Sequence, residues 1–182
     1  MSSSANPPSL RGKLVHPSQA RAVAAALPSP RVFTNGVFDL LHRGHCVLLE
    51  NARALGGSLI VGLNSDASTR RLGKGTERPV NREADRAFVL ASLQAVDMVV
   101  IFEEDTPCDL LALVRPEIYV KGGDYDMATL AETRLVEGWC GLALALPFIG
   151  GHSTTRILER LAATRAPVRL GKTSDGRPGV TA

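Results

Sequence analysis

The chain of 182 residues is 45% hydrophobic and 21% charged, which is typical of a single globular domain with a substantial core. No apolar run approaches the roughly 20 residues that a membrane-spanning helix needs, and the polar start MSSSANPPS differs from a signal peptide. We therefore expect a cytoplasmic protein without a membrane partner.

The net charge of +3 and the pI near 9.0 would suit a nucleic-acid binder if the positive residues clustered on the fold. However, residues 1–30 and residues 165–182 each carry a formal charge of +3, which leaves residues 31–164 at −3. We therefore expect no nucleic-acid partner. We expect residues 1–30 to form a partly disordered arm with a short helix over 17–27, and residues 165–182 to form a flexible tail.

Between these ends, apolar segments rich in β-branched residues alternate with segments of helical pattern. The predicted strands are 31–35, 58–64, 97–102, 117–120 and 142–147. The predicted helices are 43–55, 81–94, 106–114, 127–138 and 153–161. Near-continuous apolar strands separated by helices are typical of a parallel sheet covered on both faces. We expect residues 31–164 to form one α/β domain, a doubly wound, Rossmann-like parallel sheet of five strands.

Residues suited to ligand binding fall in the loops that follow the predicted strands. These loops hold TNGVFDLLHRGH after the first strand, a long loop over 64–80 after the second, KGGDY after the fourth and FIGGHSTT after the fifth. In a parallel sheet these loops meet at the carboxyl edge, where doubly wound folds bind their ligands. The loops at the opposite edge are short, so we expect the site at the carboxyl edge.

Two of the four histidines, His42 and His45, lie at the predicted start of the second helix. Residues three apart share one side of a helix, and a helix N-terminus offers free N–H groups to an anion. With Gly44 allowing close backbone approach and Gly36 serving the turn after the strand, the pattern predicts a phosphate cradle. Two alternatives stay open: simple capping, or a metal site formed with Asp39 or Cys46.

Lysines and hydroxyl residues add to this prediction. The chain has 17 arginines but four lysines, and the two lysines outside the ends, Lys74 and Lys121, lie in loops of the expected site edge. Lysine is a compact point charge that suits phosphate binding. The run 153–155 opens the last predicted helix, where its hydroxyls would either hold a second phosphate group or cap the helix.

These motifs together resemble the nucleotidyltransferase superfamily that carries a His-x-Gly-His signature. His42-Arg43-Gly44-His45 matches that signature, and Gly36-Val37-Phe38-Asp39 precedes it as in the cytidylyltransferase-like branch. Ser153-Thr154-Thr155 with Ile157 matches the second signature of the superfamily.

Over about residues 31–162 the chain most resembles the adenylyltransferases that make ADP-heptose from D-glycero-β-D-manno-heptose 1-phosphate for lipopolysaccharide core. The shared segments include FTNGVFDLLHRGH, GLNSDAS, LASLQAVD, FEEDTP, KGGDY and GGHSTT. The resemblance implies ATP as co-substrate, Mg²⁺ bound with the ATP, and no metal held by the protein alone. In many relatives the module is fused to a sugar kinase, so the resemblance implies a separate kinase upstream of this chain. We also expect a homo-oligomer, a dimer or higher.

The resemblance assigns roles to individual residues. The predicted catalytic residues are His42, His45 and Lys74. The predicted nucleotide-binding residues are Thr34, Asn35, Gly36, Val37, Phe38, Gly44, Asn64, Gly150, Ser153, Thr154 and Thr155. The predicted contacts to the sugar phosphate or the nucleotide are Asp39, Lys121 and Asp124.

Three alternative functions remain open on the sequence. The chain could use CTP with glycerol 3-phosphate, although the second signature lacks the Arg and Glu that precede Ser-Thr in glycerol-phosphate cytidylyltransferases. It could use ATP with another phosphorylated acceptor such as phosphopantetheine. It could also be a nucleotide-binding module without catalysis, which the combination of both histidines with Lys74 disfavours.

Overall fold

The structure, a computed structural model, describes residues 10, 12–73, 78–123, 125–147, 151 and 153–164. The strands are β1 Arg31–Gly36, β2 Ser58–Asn64, β3 Met98–Phe102, β4 Ile118–Gly122 and β5 Leu142–Leu146. The α-helices are α1 Pro17–Ala26, α2 Arg43–Arg53, α3 Asp66–Arg71, α4 Glu83–Ala91, α5 Cys108–Val114, α6 Ala131–Glu137 and α7 Thr154–Thr164. A 3₁₀ turn, Met127–Thr129, precedes α6.

The five strands form one parallel sheet in the order β3-β2-β1-β4-β5. The chain winds outward from β1 through β2 to β3, then returns to the other side of β1 with β4 and β5. All seven residues of β2 are buried, as expected for a strand covered on both faces. The prediction of a doubly wound, five-stranded parallel sheet is confirmed.

Alternating strand residues feed two separate apolar layers. On one face, Val32 and Leu59 pack with Leu49 of α2 and with α4. On the other face, Phe33 and Ile60 pack with α1, α5 and α6. Because side chains alternate across a strand, successive strand residues pack into different layers. Helix α2, which follows β1, and helix α6, which follows β4, lie on opposite faces of the sheet.

The segment expected as an N-terminal arm is part of this packing over residues 13–27. The Val15 amide donates to the Val99 carbonyl at 3.0 Å, and the Val99 amide donates to the Lys13 carbonyl at 2.7 Å. These bonds cover the open edge of β3, which would otherwise expose unpaired backbone groups. The boundary expected at residue 30 therefore does not separate this segment from the fold. The disorder predicted before residue 10 and in the tail 165–182 lies outside the described residues.

The sequence prediction missed α3, which lies where one long loop was expected over 64–80. Ser65 caps this helix by accepting a hydrogen bond from the Ser68 amide at 3.0 Å. A helix of six residues has too few turns to show an apolar period, so the cap was its main signal.

Three predicted helix starts differ from those in the structure. The helix predicted from 81 begins at Glu83 with Arg82 as its N-cap, because the Asn81 side chain donates to the Asp39 carbonyl at 3.2 Å. The helix predicted over 127–138 is divided, since Asp126 caps the 3₁₀ turn before α6. Pro107, predicted as the first helical residue of α5, is its N-cap. In the described part of the chain, no helix combines the length and apolar character needed to cross a membrane.

Candidate active site

The main polar cleft opens where the winding direction reverses. At this point β1 and β4 are neighbours, α2 follows β1 on one face, and α6 follows β4 on the other. The cleft has a volume of about 300 Å³. It is lined by Asn35, Gly36, Val37, Phe38, His45, Leu48, Asn64, Leu72, Asp105, Pro107, Lys121, Gly122, Tyr125 and Glu132. The carboxyl edge therefore forms a crevice, as the sequence predicted.

The predicted histidine pair lies at the start of α2. His42 is the N-cap residue, and its ring stacks on that of His45 with centroids 3.8 Å apart and planes 19° from parallel. The His42 side chain makes no capping hydrogen bond, so the simple capping alternative is not supported. His45 itself lines the cleft beside the N-terminus of α2. The arrangement brings two imidazoles and a helix N-terminus to one wall, which suits an anion.

The turn after β1 holds this pair in place. Phe38 has a φ of 45°, a left-handed conformation that is uncommon for a bulky residue, and its ring meets the His45 ring edge-on at 5.1 Å. A Cβ on Gly36 would lie 3.1 Å from the Phe38 ring, so glycine allows the ring to fold back there. Gly44, also predicted at the site, is buried within α2.

Asp39 was predicted to contact substrate, but the structure does not bring it into the cleft. Asp39 is 2% exposed, and its Oδ1 accepts hydrogen bonds from the Val80 amide at 2.8 Å and the Asn81 amide at 3.0 Å. Its Oδ2 pairs with Arg78 at 2.7 Å. Asp39 therefore anchors the segment 78–81 to the turn that carries the histidines, and these contacts are those of a positioning residue.

Asn35 and Lys121 lie on the floor of the cleft, at the ends of β1 and β4. Asn35 Oδ1 accepts from the Tyr119 hydroxyl and from Lys121 Nζ, each at 3.1 Å. Lys121 also lies over the Tyr125 ring, 5.5 Å from its centroid. Burial, followed by the charge of Glu132, raises the pKa of Tyr119, so the hydroxyl stays a donor.

Of the other residues predicted to bind the nucleotide, some line the cleft and others are buried in the fold or lie at the start of α7. Asn64 lines the cleft and donates to Ser68 Oγ at 3.0 Å, while Thr34 is fully buried in β1. Ser153 caps α7 by accepting from the Arg156 amide at 3.1 Å, and Thr154 donates to the Leu40 carbonyl at 3.4 Å. Capping, the alternative left open for this run, thus accounts for Ser153. Thr155 is exposed.

Three predicted residues, Lys74, Asp124 and Gly150, lie outside the described residues. Sequence reasoning in turn missed several residues that shape the site. Asp105, Tyr125 and Glu132 line the cleft, whereas Arg78 and Arg86 hold the turn from behind. Asp105 and Tyr125 stand within the quoted motifs FEEDTP and KGGDY, so a signal for both existed. The helical segment around Glu132 gave no sequence signal that this residue lines the cleft.

Comparison with known proteins agrees with this geometry. The family model described as cytidylyltransferase-like matches residues 33–160. The chain therefore belongs to the cytidylyltransferase-like family of nucleotidyltransferases, as its signatures predicted.

Several individual proteins are similar to this chain in sequence or in structure. The chain is 54% identical over 142 residues to the D-beta-D-heptose 1-phosphate adenylyltransferase of Bordetella bronchiseptica, covering 78% of this chain and 88% of that protein. It is 58% identical over 129 residues to the bifunctional protein HldE of Acidiphilium cryptum, covering 71% of this chain but only 26% of HldE. A lipopolysaccharide core biosynthesis protein from Thermoplasma volcanium has a similar structure, with 27% identity and a TM-score of 0.54. That match covers 65% of this chain and 95% of the solved one.

Proposed function

We propose that the chain transfers AMP from ATP to D-glycero-β-D-manno-heptose 1-phosphate, giving ADP-heptose and pyrophosphate for lipopolysaccharide core biosynthesis. The Bordetella adenylyltransferase supports this assignment because the similarity covers 88% of that protein at 54% identity. The observation that carries the chemistry is the stacked His42–His45 pair at the start of α2, in a cleft with Lys121 on its floor. Paired imidazoles and a cation beside a helix N-terminus suit a substrate with several phosphate groups.

In the proposed reaction, an oxygen of the sugar phosphate attacks the α-phosphorus of ATP. The new P–O bond forms as the bond to the β-phosphate oxygen breaks, and pyrophosphate leaves with that bond's electron pair. The nucleophile is already an anion, so no covalent enzyme intermediate is required. Catalysis then depends on bringing two anionic substrates together and stabilising the charge that develops at the α-phosphate.

His45 is the proposed donor to the α-phosphate oxygens, with His42 stacked behind it and binding the triphosphate. The edge contact from Phe38 supports this role, because it fixes the His45 ring before substrate arrives. We propose that Lys74 neutralises the phosphates and that Ser153, Thr154 and Thr155, with Gly150, hold the β and γ end. We propose that Lys121 and Asp124 contact the sugar phosphate or the nucleotide.

Mg²⁺ fits this scheme as a partner of the ATP phosphates. The described residues contain no group of three or more His, Cys, Asp or Glu that could hold a metal ion. We therefore propose that the ion enters with ATP, where it screens phosphate charge, while His42, His45 and Lys121 act on the phosphates directly.

We further propose that a separate sugar kinase supplies the heptose 1-phosphate, that the reaction occurs in the cytoplasm, and that the chain forms a homo-oligomer. The first point is supported by the HldE proteins, which are named bifunctional and of which this chain spans about a quarter.

Pyrophosphate release tests the proposed function. The protein should release pyrophosphate with ATP and D-glycero-β-D-manno-heptose 1-phosphate at a kcat/KM at least tenfold above that with CTP. Glycerol 3-phosphate with CTP serves as the comparison for the cytidylyltransferase alternative. Equal or faster turnover with CTP would refute the assignment, and ATP binding without turnover on any sugar phosphate would favour a non-catalytic module.

A further inference from the structure

Glu132 is a buried carboxylate on the wall of the cleft opposite the histidines. It lies on α6 and is 7% exposed, yet it lines the same cleft as His45 on α2. The two residues therefore face one ligand from opposite faces of the sheet. Charged residues are rarely this buried unless they are paired, so the position of Glu132 calls for a partner.

Within the described chain, no hydrogen bond or ion pair reaches the Glu132 carboxylate. An ionised carboxylate only accepts hydrogen bonds, so its partner in the cleft must be a donor. A phosphate group offers no donor and would be repelled by the negative charge. The α6 wall is therefore the place for a part of the substrate that carries O–H or N–H groups.

Asn35, which lines the same cleft, supplies a complementary group. Asn35 Oδ1 is already engaged by Tyr119 and Lys121, which fixes the amide and leaves its Nδ2 as a donor to a ligand. An acceptor beside this donor matches hydroxyl groups, each of which both donates and accepts.

We propose that Glu132 accepts hydrogen bonds from vicinal sugar hydroxyls, carried either by the ribose of the nucleotide or by the ring of the sugar phosphate. The identity of these two substrates rests on the proposed function. Glu132 is then a substrate-binding residue that orients a hydroxyl-bearing substrate, while the phosphates lie toward His45 and α2.

The test compares wild type with Glu132→Ala and Glu132→Gln, and uses Glu137→Gln as a matched control. Glu137 carries the same charge on the same helix but is exposed and does not line the cleft. Calorimetry measures the Kd of ATP, 2′-deoxy-ATP and 3′-deoxy-ATP, and steady-state kinetics measures kcat and the KM of heptose 1-phosphate. Melting curves confirm that each variant is folded, and the Gln variant keeps the side-chain shape if the Ala variant does not fold.

Two results support the inference and identify the sugar. If Glu132 binds the ribose, wild type should prefer ATP to a deoxy form at least tenfold; Glu132→Ala should lose that preference, and Glu132→Gln, which keeps one acceptor oxygen, should lose part of it. If it binds the acceptor, the KM of heptose 1-phosphate should rise at least tenfold with kcat changed less than threefold. Heptose 1-phosphate has no N–H group, so its hydroxyls are the donors concerned. Glu137→Gln should match wild type in both measurements.

Other results would overturn the proposed role of Glu132. A folded Glu132→Ala variant within twofold of wild type for both substrates would do so; if that variant does not fold, a Glu132→Gln variant with no change at all for either substrate would do so. A weaker Kd for ATP with an unchanged preference over the deoxy forms would also do so, because the contact would then lie on the base. If wild type shows no turnover with heptose 1-phosphate, the proposed function fails instead. The ATP titrations then decide alone, and unchanged ATP binding by the variants rejects the role of Glu132.

Discussion

The ion pair between Asp39 and Arg78 allows a direct test of how the site is held. Replacing Asp39 by Asn keeps the shape and leaves one oxygen to accept from the Val80 and Asn81 amides. It removes the charge opposite Arg78, and it turns a donor amide toward a donor guanidinium. The Asp39 side chain is fully buried and that of Arg78 is 11% exposed. Removing one partner of a buried pair costs about 3–5 kcal/mol, so we expect Asp39→Asn to lose about 3 kcal/mol of unfolding free energy.

Asp105→Asn is the matched control, because Asp105 pairs with Arg71 at the same distance of 2.7 Å. The two side chains of this second pair are 65% and 49% exposed, so solvent screens them. Such exposed pairs contribute about 0–1 kcal/mol. The two substitutions make the same chemical change, and the difference between them isolates burial.

Urea denaturation of both variants measures this difference, with the m-value checked for two-state unfolding. Asp39→Asn should also lower kcat, because the anchored residues 78–81 lie only a few positions after Lys74, a proposed catalytic residue, in the sequence. A loss below 1 kcal/mol in Asp39→Asn, or an equal loss in both variants, would refute the assignment of Asp39 as a buried anchor.

Three further predictions follow from other contacts. His45→Ala should lower kcat by about a hundred- to a thousandfold while changing the Kd of ATP far less, as rapid-quench kinetics and calorimetry would show; equal losses in both would argue against a transition-state role. A hydrogen bond from Arg31 lowers the pKa of Glu117 to about 2, so this pair stabilises the fold above pH 4.5 and loses that effect as the pH falls through 2. Glu117→Gln should therefore cost at most about 1 kcal/mol at pH 7, since Glu117 is 41% exposed, and should flatten the acid limb of the stability profile; an unchanged limb would contradict this. Arg86→Lys should lower kcat and melting temperature together, because an ammonium cannot reproduce the three contacts of the guanidinium; wild-type values would exclude its role.

The sheet and the histidine pair could be predicted from sequence because their signals are local. Segment 59–63 is continuously apolar, and the bounds 58–64 predicted for β2 agree with the structure. Likewise, His42 and His45 lie at the start of a helix that the sequence pattern predicted from residue 43, where α2 begins. The position of the cleft followed from the general rule for parallel sheets, which needs only the order of strands and helices.

What could not be predicted depends on contacts between distant segments. Asp39 meets Val80 and Asn81, about 40 positions along the chain, and nothing near Asp39 distinguishes an anchor from a substrate ligand. Glu132 stands in AETRLVE, where a charged residue would normally be assigned to the exposed face of a helix. Its burial arises only when α6 packs beside β4 at the mouth of the crevice.

Arg86 explains how these distant segments form one rigid wall. Arg86 is 2% exposed, and its guanidinium donates to the Asn81 carbonyl at 3.0 Å, to Asp66 at 2.8 Å and to the Val37 carbonyl at 2.5 Å. A buried charge is costly unless it is paired and fully hydrogen-bonded, and these three contacts meet that condition. They join α4 to the start of α3, to the segment anchored by Asp39, and to the turn that precedes the histidines. Because Val37 and Phe38 adjoin in that turn, a fixed Val37 carbonyl also fixes the ring that meets His45. The fold therefore orients the two imidazoles through its own contacts, as the charge-stabilising role proposed for His45 requires.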